Sequence, residues 1–513
     1  VGQRVQFRLR QAIHDKLHEL PLAYHDRHSP GRLLTHLFSD VNALENGTKA
    51  LMQNVMAYAL SMIVGLAIVL ATNAKLALLV IVALPAYWVC YQWFQQRLRR
   101  VNENLREREG LLNAHISNRV SNFHLVKSFV RESAESLDFL RSSRPIIRNN
   151  IAATMLATGF VGVCGLITGT CTTIILWQGT LQVRDGRMTV GEMLMFFGSA
   201  SYLFTPIAVM TNLASVYYRT RAVAQKILRV LDEPITLADP EEPVEVPSTA
   251  CEVKLEDVTL HYDPTRPAAL ANVSFTLPAG KRLCVMGPSG SGKSTLAKVI
   301  GRLYDPTHGR VLFDDIDVRS FKITDLRQLV GFVSQEPIVF SGTIADNIRY
   351  GSQYARQDAM VRAAQYAQIH DFIDRLPERY RTLTHERGLT LSGGQKQRVN
   401  LARALVHDPR VIVLDDCTSA LDADTEARLV DSFQTALSNR TAVLVTHRVS
   451  VAMACDYVLM LDGGKMDEFG PPRQLLNAAG PFASIFQEQM NKGKEAESSQ
   501  KLTLANQPAT AGV

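Results

Sequence analysis

Cysteine is sparse in this chain, seven residues in 513, and follows no repeating spacing. That excludes the disulfide framework of a small secreted scaffold, and no set of cysteines stands at metal-ligand separation. A reducing compartment is expected around them. A collagen-like repeat and disorder along the whole chain are also excluded, because 46% of the residues are hydrophobic, an ordinary share for packed protein. No large excess of one charge is present: the net charge is +6 and the pI about 8.9, which suits a nucleic-acid binder and a membrane-surface protein equally. No signal peptide or early apolar run precedes the arginine-rich stretch on which the chain opens at Val1, so residues are expected to be missing before it. At roughly 100–200 residues per domain the length implies about three packing units. The mean hydropathy of +0.00 averages two unlike halves.

Charge itself is missing from four stretches of the first half. Residues 50–72 carry none, and after the break Asn73-Ala74-Lys75 neither do residues 76–94; two further uncharged runs occupy 151–178 and 193–218. A helix over the first run spans about 33 Å at 1.5 Å per residue, enough for a hydrocarbon core of roughly 30 Å. Buried helices of a soluble core are the competing reading, but four such stretches separated by polar breaks favour membrane spans. The third and fourth runs are joined by Arg184-Asp185-Gly186-Arg187, a hairpin-like turn at the membrane surface. Pro85 and Pro206 mark expected kinks.

The connection between the second and third runs is long and rich in arginine, including Arg97, Arg99, Arg100, Arg106, Arg108, Arg119 and Arg131. The positive-inside rule puts it, together with the N-terminal segment, in the cytoplasm. Leu98, Val101, Leu105, Leu112 and Ile116 continue the helical period out of the second span, so stalks reaching a cytoplasmic partner are expected.

Residues 232–247 are rich in Pro, Glu and Asp and read as a linker, after which short β-rich runs alternate with helical ones, the pattern of a parallel α/β domain. Leu283-Cys284-Val285-Met286 leads into Gly287-Pro288-Ser289-Gly290-Ser291-Gly292-Lys293-Ser294-Thr295, a complete phosphate loop. Its glycines turn backbone N–H groups onto phosphates, Lys293 supplies a cation, and Ser294 offers an oxygen to Mg²⁺. The helix starting at Lys293 adds the positive end of its dipole. Val411-Ile412-Val413-Leu414-Asp415-Asp416 reads as a buried strand delivering Asp415 to the metal.

Leu391-Ser392-Gly393-Gly394-Gln395 precedes a helical run and makes a second anion cradle at a helix N-terminus. Taken with the phosphate loop and the Asp415 strand, it resembles the signature of ATP-binding-cassette (ABC) ATPases. The order of stalk, spans, linker and cassette resembles an exporter-type ABC half-transporter of the multidrug, peptide and lipid exporter group. The resemblance implies an α-helical transmembrane bundle (residues 1–231), a linker (232–250), an α/β P-loop NTPase domain (251–490) and a disordered tail (491–513). It also implies that two spans lie before residue 1. Further roles follow from it position by position. Tyr262 stacks on adenine. Gln335 touches Mg²⁺ and the attacking water, beside the metal ligands Ser294 and Asp415. His447 contacts the γ-phosphate. Ser392, Gly393, Gly394 and Gln395 close on ATP held by a partner's phosphate loop. Glu386-Arg387-Gly388 contacts the stalks, and Ser419-Ala420-Leu421-Asp422 links the two ATP sites. Residues 20–26 with 31–34, and residues 120–130, resemble the first and second intracellular loops, both expected to hold short coupling helices that dock on cassettes; Arg32 departs from the acidic residue usual in the family.

Asp416 is the departure with mechanistic weight, because family members that hydrolyse ATP efficiently carry glutamate there as general base. The shorter side chain withdraws its carboxylate by about 1.5 Å, whereas a base works within about 2.6–3.2 Å of its water. The resemblance to heterodimeric exporters, in which one subunit carries this aspartate with an intact signature and its partner carries glutamate, implies a heterodimer in which this chain's own ATP site is slow, with a homodimer in which Asp416 works as the alternative. The implied function is ATP-driven export with ATP and Mg²⁺, a second half-transporter, the bilayer and an unidentified substrate as partners, and no nucleic acid. A soluble ABC ATPase acting on nucleic acid or ribosomes, and an ATP-gated channel or regulatory subunit, are the alternative classes.

Overall fold

The computed structural model of the chain describes residues 2–28, 30–385, 391–417 and 423–491. Two compact units emerge: Val1–His18 with Pro30–Glu233, and Glu19–Ser29 with Pro234–Val513.

The first unit is helical. Helix α1 (Gly2–Glu19) is followed by α2 (Leu22–Arg27), which belongs to the second unit, then by α3 (Pro30–Thr35), α4 (Val41–Thr72), α5 (Ala74–Ser121), α6 (Phe123–Ser128), α7 (Glu132–Arg184) and α8 (Val190–Leu231). Helix α4 packs along α8 and α5 along α7. The expected break between the first two spans is a single residue, since Asn73 alone is extended and its side chain accepts from the Lys75 and Leu76 N–H groups to start α5. Its amide also donates to Gln182 Oε1 at 2.5 Å, tying that turn to the far end of α7. Pro85 and Pro206 lie inside unbroken helices. The turn after α7 ends at Thr189, which forms a reciprocal capping box with Glu192, worth about 1 kcal/mol to the start of α8.

Among the described residues, three helices are long and apolar enough to cross a membrane, within Phe38–Thr72, Ala74–Ser121 and Glu132–Arg184; the described apolar part of α8 is the shorter Val190–Phe204. Only 11%, 29% and 17% of their apolar windows are buried, so most of that surface needs a non-aqueous solvent. At the end of the second run the Arg97 guanidinium lies 3.5 Å from the Trp93 ring, an aromatic and a cation placed as at a membrane interface. The core of this unit centres on the wholly buried Val69, Val80, Ile175 and Phe196 and on Tyr87, whose hydroxyl donates to the Cys164 carbonyl at 2.8 Å.

Among the described residues, the second unit contains twelve strands: β1 (Val253–Leu260), β2 (Leu270–Leu277), β3 (Arg282–Met286), β4 (His308–Phe313), β5 (Ile316–Asp317), β6 (Val330–Val333), β7 (Gly342–Thr343), β8 (Leu383–Thr384), β9 (Val411–Asp415), β10 (Thr441–Val445), β11 (Tyr457–Asp462) and β12 (Lys465–Gly470). A six-stranded sheet has the order β12-β11-β3-β10-β9-β6 and is parallel apart from β12. An antiparallel sheet has the order β2-β1-β4-β5. In the parallel sheet, Ile412, Leu414, Ala442 and Leu444 face one core while Val411, Val413, Val443 and Val445 face another. That period of two, apolar on both sides, is why these strands read as continuous hydrophobic runs.

Candidate active site

The C-terminal ends of the parallel strands gather the chemistry, as expected of an open α/β sheet. The phosphate loop leaves β3 and runs into helix α9 (Lys293–Ile300), Asp415 ends β9, Gln335 follows β6, and His447 lies two residues beyond β10. One cavity of about 380 Å³ is lined by Tyr262, residues of the phosphate loop, Gln335, Asp415, Asp416 and His447. The catalytic and nucleotide-binding candidates of the sequence thus come together from five separate segments.

Backbone sterics explain the glycines. Gly287 has φ +145° and a Cβ there would overlap the Leu461 carbonyl, while at Gly292, φ +100°, it would come within 2.5 Å of the Ala269 carbonyl. No L side chain fits either position. Within the loop, Lys293 Nζ donates to the carbonyls of Gly287 at 3.0 Å and Pro288 at 2.6 Å. Burial pulls the Lys293 ammonium below its ordinary range, opposed by Asp415 and Asp416. Ser291 Oγ is buried with no hydrogen-bond partner. A buried hydroxyl and a desolvated ammonium beside a helix start are donors in want of an anion, so the loop fits a phosphate.

Ser294 Oγ donates to Asp415 Oδ1 at 3.1 Å. Burial pushes the Asp415 carboxyl up, Ser294 pulls it down and Asp416 pushes it further up. Two adjacent carboxylates, a hydroxyl and the Gln335 amide make an oxygen-rich set, and no cluster of three His, Cys, Asp or Glu side chains exists among the described residues. A hard cation completed by phosphate oxygens suits such a set better than a soft metal does. Asp416 has φ +48°, and its N–H donates to the Val445 carbonyl at 2.9 Å. Tyr262 donates its hydroxyl to Thr295 Oγ1 at 3.2 Å and meets Tyr304 edge-on, with ring centroids 5.0 Å apart.

Ser392 caps the helix Gly393–Leu405, accepting from the Gln395 N–H while Gln395 accepts from the Ser392 N–H. None of Ser392, Gly393, Gly394 and Gln395 lines the cavity around Lys293. Glu386-Arg387-Gly388 and Ser419-Ala420-Leu421-Asp422 lie outside the described residues, as does the tail beyond Asn491.

Two short helices stand where the sequence expects coupling helices, α2 and α6. Leu22 and Ala23 of α2 pack against the core of the second unit. Asp26 accepts from the Tyr304 hydroxyl at 2.6 Å and lies 3.7 Å from Lys298 Nζ, and Arg27 donates to the Tyr262 carbonyl at 3.2 Å. These contacts join residues more than 230 positions apart and left no trace in motif or period.

Comparison with known proteins agrees with the geometry. Residues 1–207 match the model of the ABC transporter transmembrane region, and residues 270–419 match that of the ABC transporter ATPase domain. The chain belongs to the exporter-type ABC transporters. It is 28% identical to an ATP-dependent lipid A-core flippase of Syntrophus aciditrophicus (strain SB), with 97% of this chain and 82% of that protein aligned. Against YknU, an ABC transporter ATP-binding protein of Bacillus subtilis (strain 168), it is 29% identical over 94% of this chain and 83% of that protein. The solved structure of a bacterial Atm1-family ABC exporter with ATP bound superposes with a TM-score of 0.82 at 29% identity, covering 95% of this chain and 86% of that one. The half-transporter is therefore a membrane-integral ATPase, and the soluble-ATPase class is set aside by its transmembrane region.

Proposed function

We propose that this exporter half pairs head to tail with a second, different ABC half, and that the ATP site on its own phosphate loop binds ATP but turns it over slowly. The observation that carries this is the separation of the two cradles: the phosphate loop lines the cavity and the Ser392–Gln395 cradle does not. A helix N-terminus with its N–H groups presented outside its own chain's site suits a nucleotide held by another chain. Asp416, one methylene shorter than glutamate, supports the slow site.

In this reading the chain's residues divide the work. The Ser289 and Gly290 N–H groups, Ser291 Oγ and Lys293 hold the β- and γ-phosphates, and Tyr262 stacks on the adenine. His447 donates to a γ-phosphate oxygen as charge develops there. Gln335 orients the attacking water, and Asp416 accepts its proton over too long a distance to do so fast. Ser294, Gln335 and Asp415 would hold Mg²⁺, which would supply neutralisation of charge on the transferring phosphoryl group. The arginine-rich stalks and the ATPase unit lie in the cytoplasm, following the positive-inside rule. ATP-driven closure of paired cassettes then moves α2 and the helices on either side of it.

The test is purification of the tagged chain from its source membrane and identification of what co-purifies. A distinct half-transporter carrying glutamate after its metal-binding aspartate is expected. Recovery of untagged copies of this chain alone overturns the heterodimer.

A further inference from the structure

The loop carrying His447 is held from an unexpected direction. Residues 481–491 form a helix near the end of the described chain, with Phe482 wholly buried, and Ile485 and Phe486 packed against the core. Phe482 N–H also donates to Glu468 Oε2 at 3.1 Å, so the helix is anchored at its start. Two turns on, Gln489 reaches the His447 loop with both ends of its amide. Its Nε2 donates to the His447 carbonyl at 2.6 Å, and its Oε1 accepts from the Val449 N–H at 3.1 Å.

These two backbone groups lack regular partners. His447 lies beyond the end of β10, and Val449 begins the short helix Val449–Met453, whose Arg448 cap makes no side-chain hydrogen bond to it. Helix starts leave such N–H groups open, and an amide side chain, donor and acceptor on one carbon, can substitute for a neighbouring strand. The residue between them is fixed separately. Arg448 forms an ion pair with Glu426, which also accepts from Ser450 Oγ at 3.4 Å. Glu426 itself is buried in the helix Ala423–Ala436. The backbone on both sides of the His447 side chain is thus set by elements outside the nucleotide cavity.

We infer that Gln489 is a positioning residue for His447, and that the 481–491 helix controls how the histidine meets the γ-phosphate without touching nucleotide. The inference rests on the reading of His447 as the γ-phosphate contact. Its consequence is a split between binding and chemistry. Lys293, Ser291 and Tyr262 hold ATP with no help from Gln489, so affinity is kept. The hydrolytic step depends on the placement of His447, and displacements of about 1 Å cost up to a hundredfold in rate.

The experiment uses the assembled full-length transporter in lipid nanodiscs, with photoreactive 8-azido-ATP as probe. Cross-linking to this chain and separation of the subunits keeps a partner's turnover out of the reading. Binding is measured on ice, and single-turnover conversion of bound nucleotide to its diphosphate on warming. Gln489→Glu keeps the length and the acceptor for Val449 but sets an oxygen against the His447 carbonyl; Gln489→Ala removes both bonds. Both variants are expected to bind as wild type and to convert about tenfold or more slowly. Adding either to His447→Ala is expected to slow conversion no further, because the two act as one unit. Unchanged conversion in both variants, a loss of binding with conversion retained, or a full additional loss on top of His447→Ala overturns the inference. Wild-type conversion by His447→Ala alone instead overturns the reading of the histidine on which it rests.

Discussion

Gln335 Nε2 stands 3.5 Å from Asp416 Oδ2, at the outer limit of a hydrogen bond. The two groups read as water-positioning amide and general base face each other across a gap that a longer side chain would close. Asp416→Glu extends the carboxylate by about 1.5 Å. The residue has φ +48°, a region that tolerates Asp better than Glu, so a small stability cost accompanies the change. We expect the variant to speed single-turnover conversion of ATP at this chain's own site, read on the separated subunit, by about tenfold or more. Equal or lower turnover would show that aspartate already serves as base.

Ser291 offers a separate test of the phosphate cradle. Its hydroxyl is buried and unpaired, so removing it relieves an unsatisfied group in the nucleotide-free protein. Ser291→Ala should melt at the wild-type temperature or slightly above it. The same variant should bind ATP about five- to tenfold more weakly, the worth of about 1–1.5 kcal/mol for one hydrogen bond. A fall in melting temperature with affinity retained would mean that the hydroxyl is structural.

What the sequence made legible follows from the kind of constraint involved. The phosphate loop is readable because two of its positions, Gly287 and Gly292, admit no side chain, which forces the spacing. The strand that ends in Asp415 is readable because both of its faces are buried. Helix α2 was legible as a position, but not its grip on Tyr304 and Tyr262. Gln489 had no signal at all, being one polar residue on the exposed side of a terminal helix whose meaning comes from backbone atoms 40 or more positions away. Contacts between remote side chains impose no period, and only the folded chain displays them.

Helix α2 is six residues long, too short to persist by itself in water. Its protection therefore depends on docking through Leu22, Ala23, Asp26 and Arg27. Tyr304→Phe deletes the hydroxyl that donates to Asp26 at 2.6 Å, and with Asp26 half exposed the loss is about 1 kcal/mol. Amides of residues 22–27 should then exchange with deuterium about fivefold faster, while those of β3 and β10 keep their wild-type rates. Unchanged exchange in the α2 segment would show that its apolar contacts hold it unaided.

Cys251 is wholly buried, and burial with the nearby Asp314 pushes its thiol up to about 12. At pH 8 only about one molecule in ten thousand carries the reactive thiolate there, against roughly a quarter for a free cysteine. Iodoacetamide should leave Cys251 unmodified in the folded transporter and label it after urea unfolding. Labelling of the folded protein at the rate of a free thiol would contradict the burial of Cys251 just ahead of β1.

His407, just after the helix Gly393–Leu405, has neither ring nitrogen hydrogen-bonded. Burial holds its pKa below the ordinary histidine value, and Arg440 adds to this while Asp408 opposes it. The unfolded chain therefore takes up a proton at this position at higher pH than the folded one does. Stability from the neutral ring is fully present above about pH 6.5 and is lost as the pH falls below that value. Replacing the ring with an uncharged apolar side chain removes the dependence. The melting temperature of His407→Leu relative to wild type should therefore increase between pH 7.5 and pH 5.5, other titrating groups being common to both proteins. A difference that stays constant over this range would mean that His407 takes up its proton equally in both states, which requires a solvated ring.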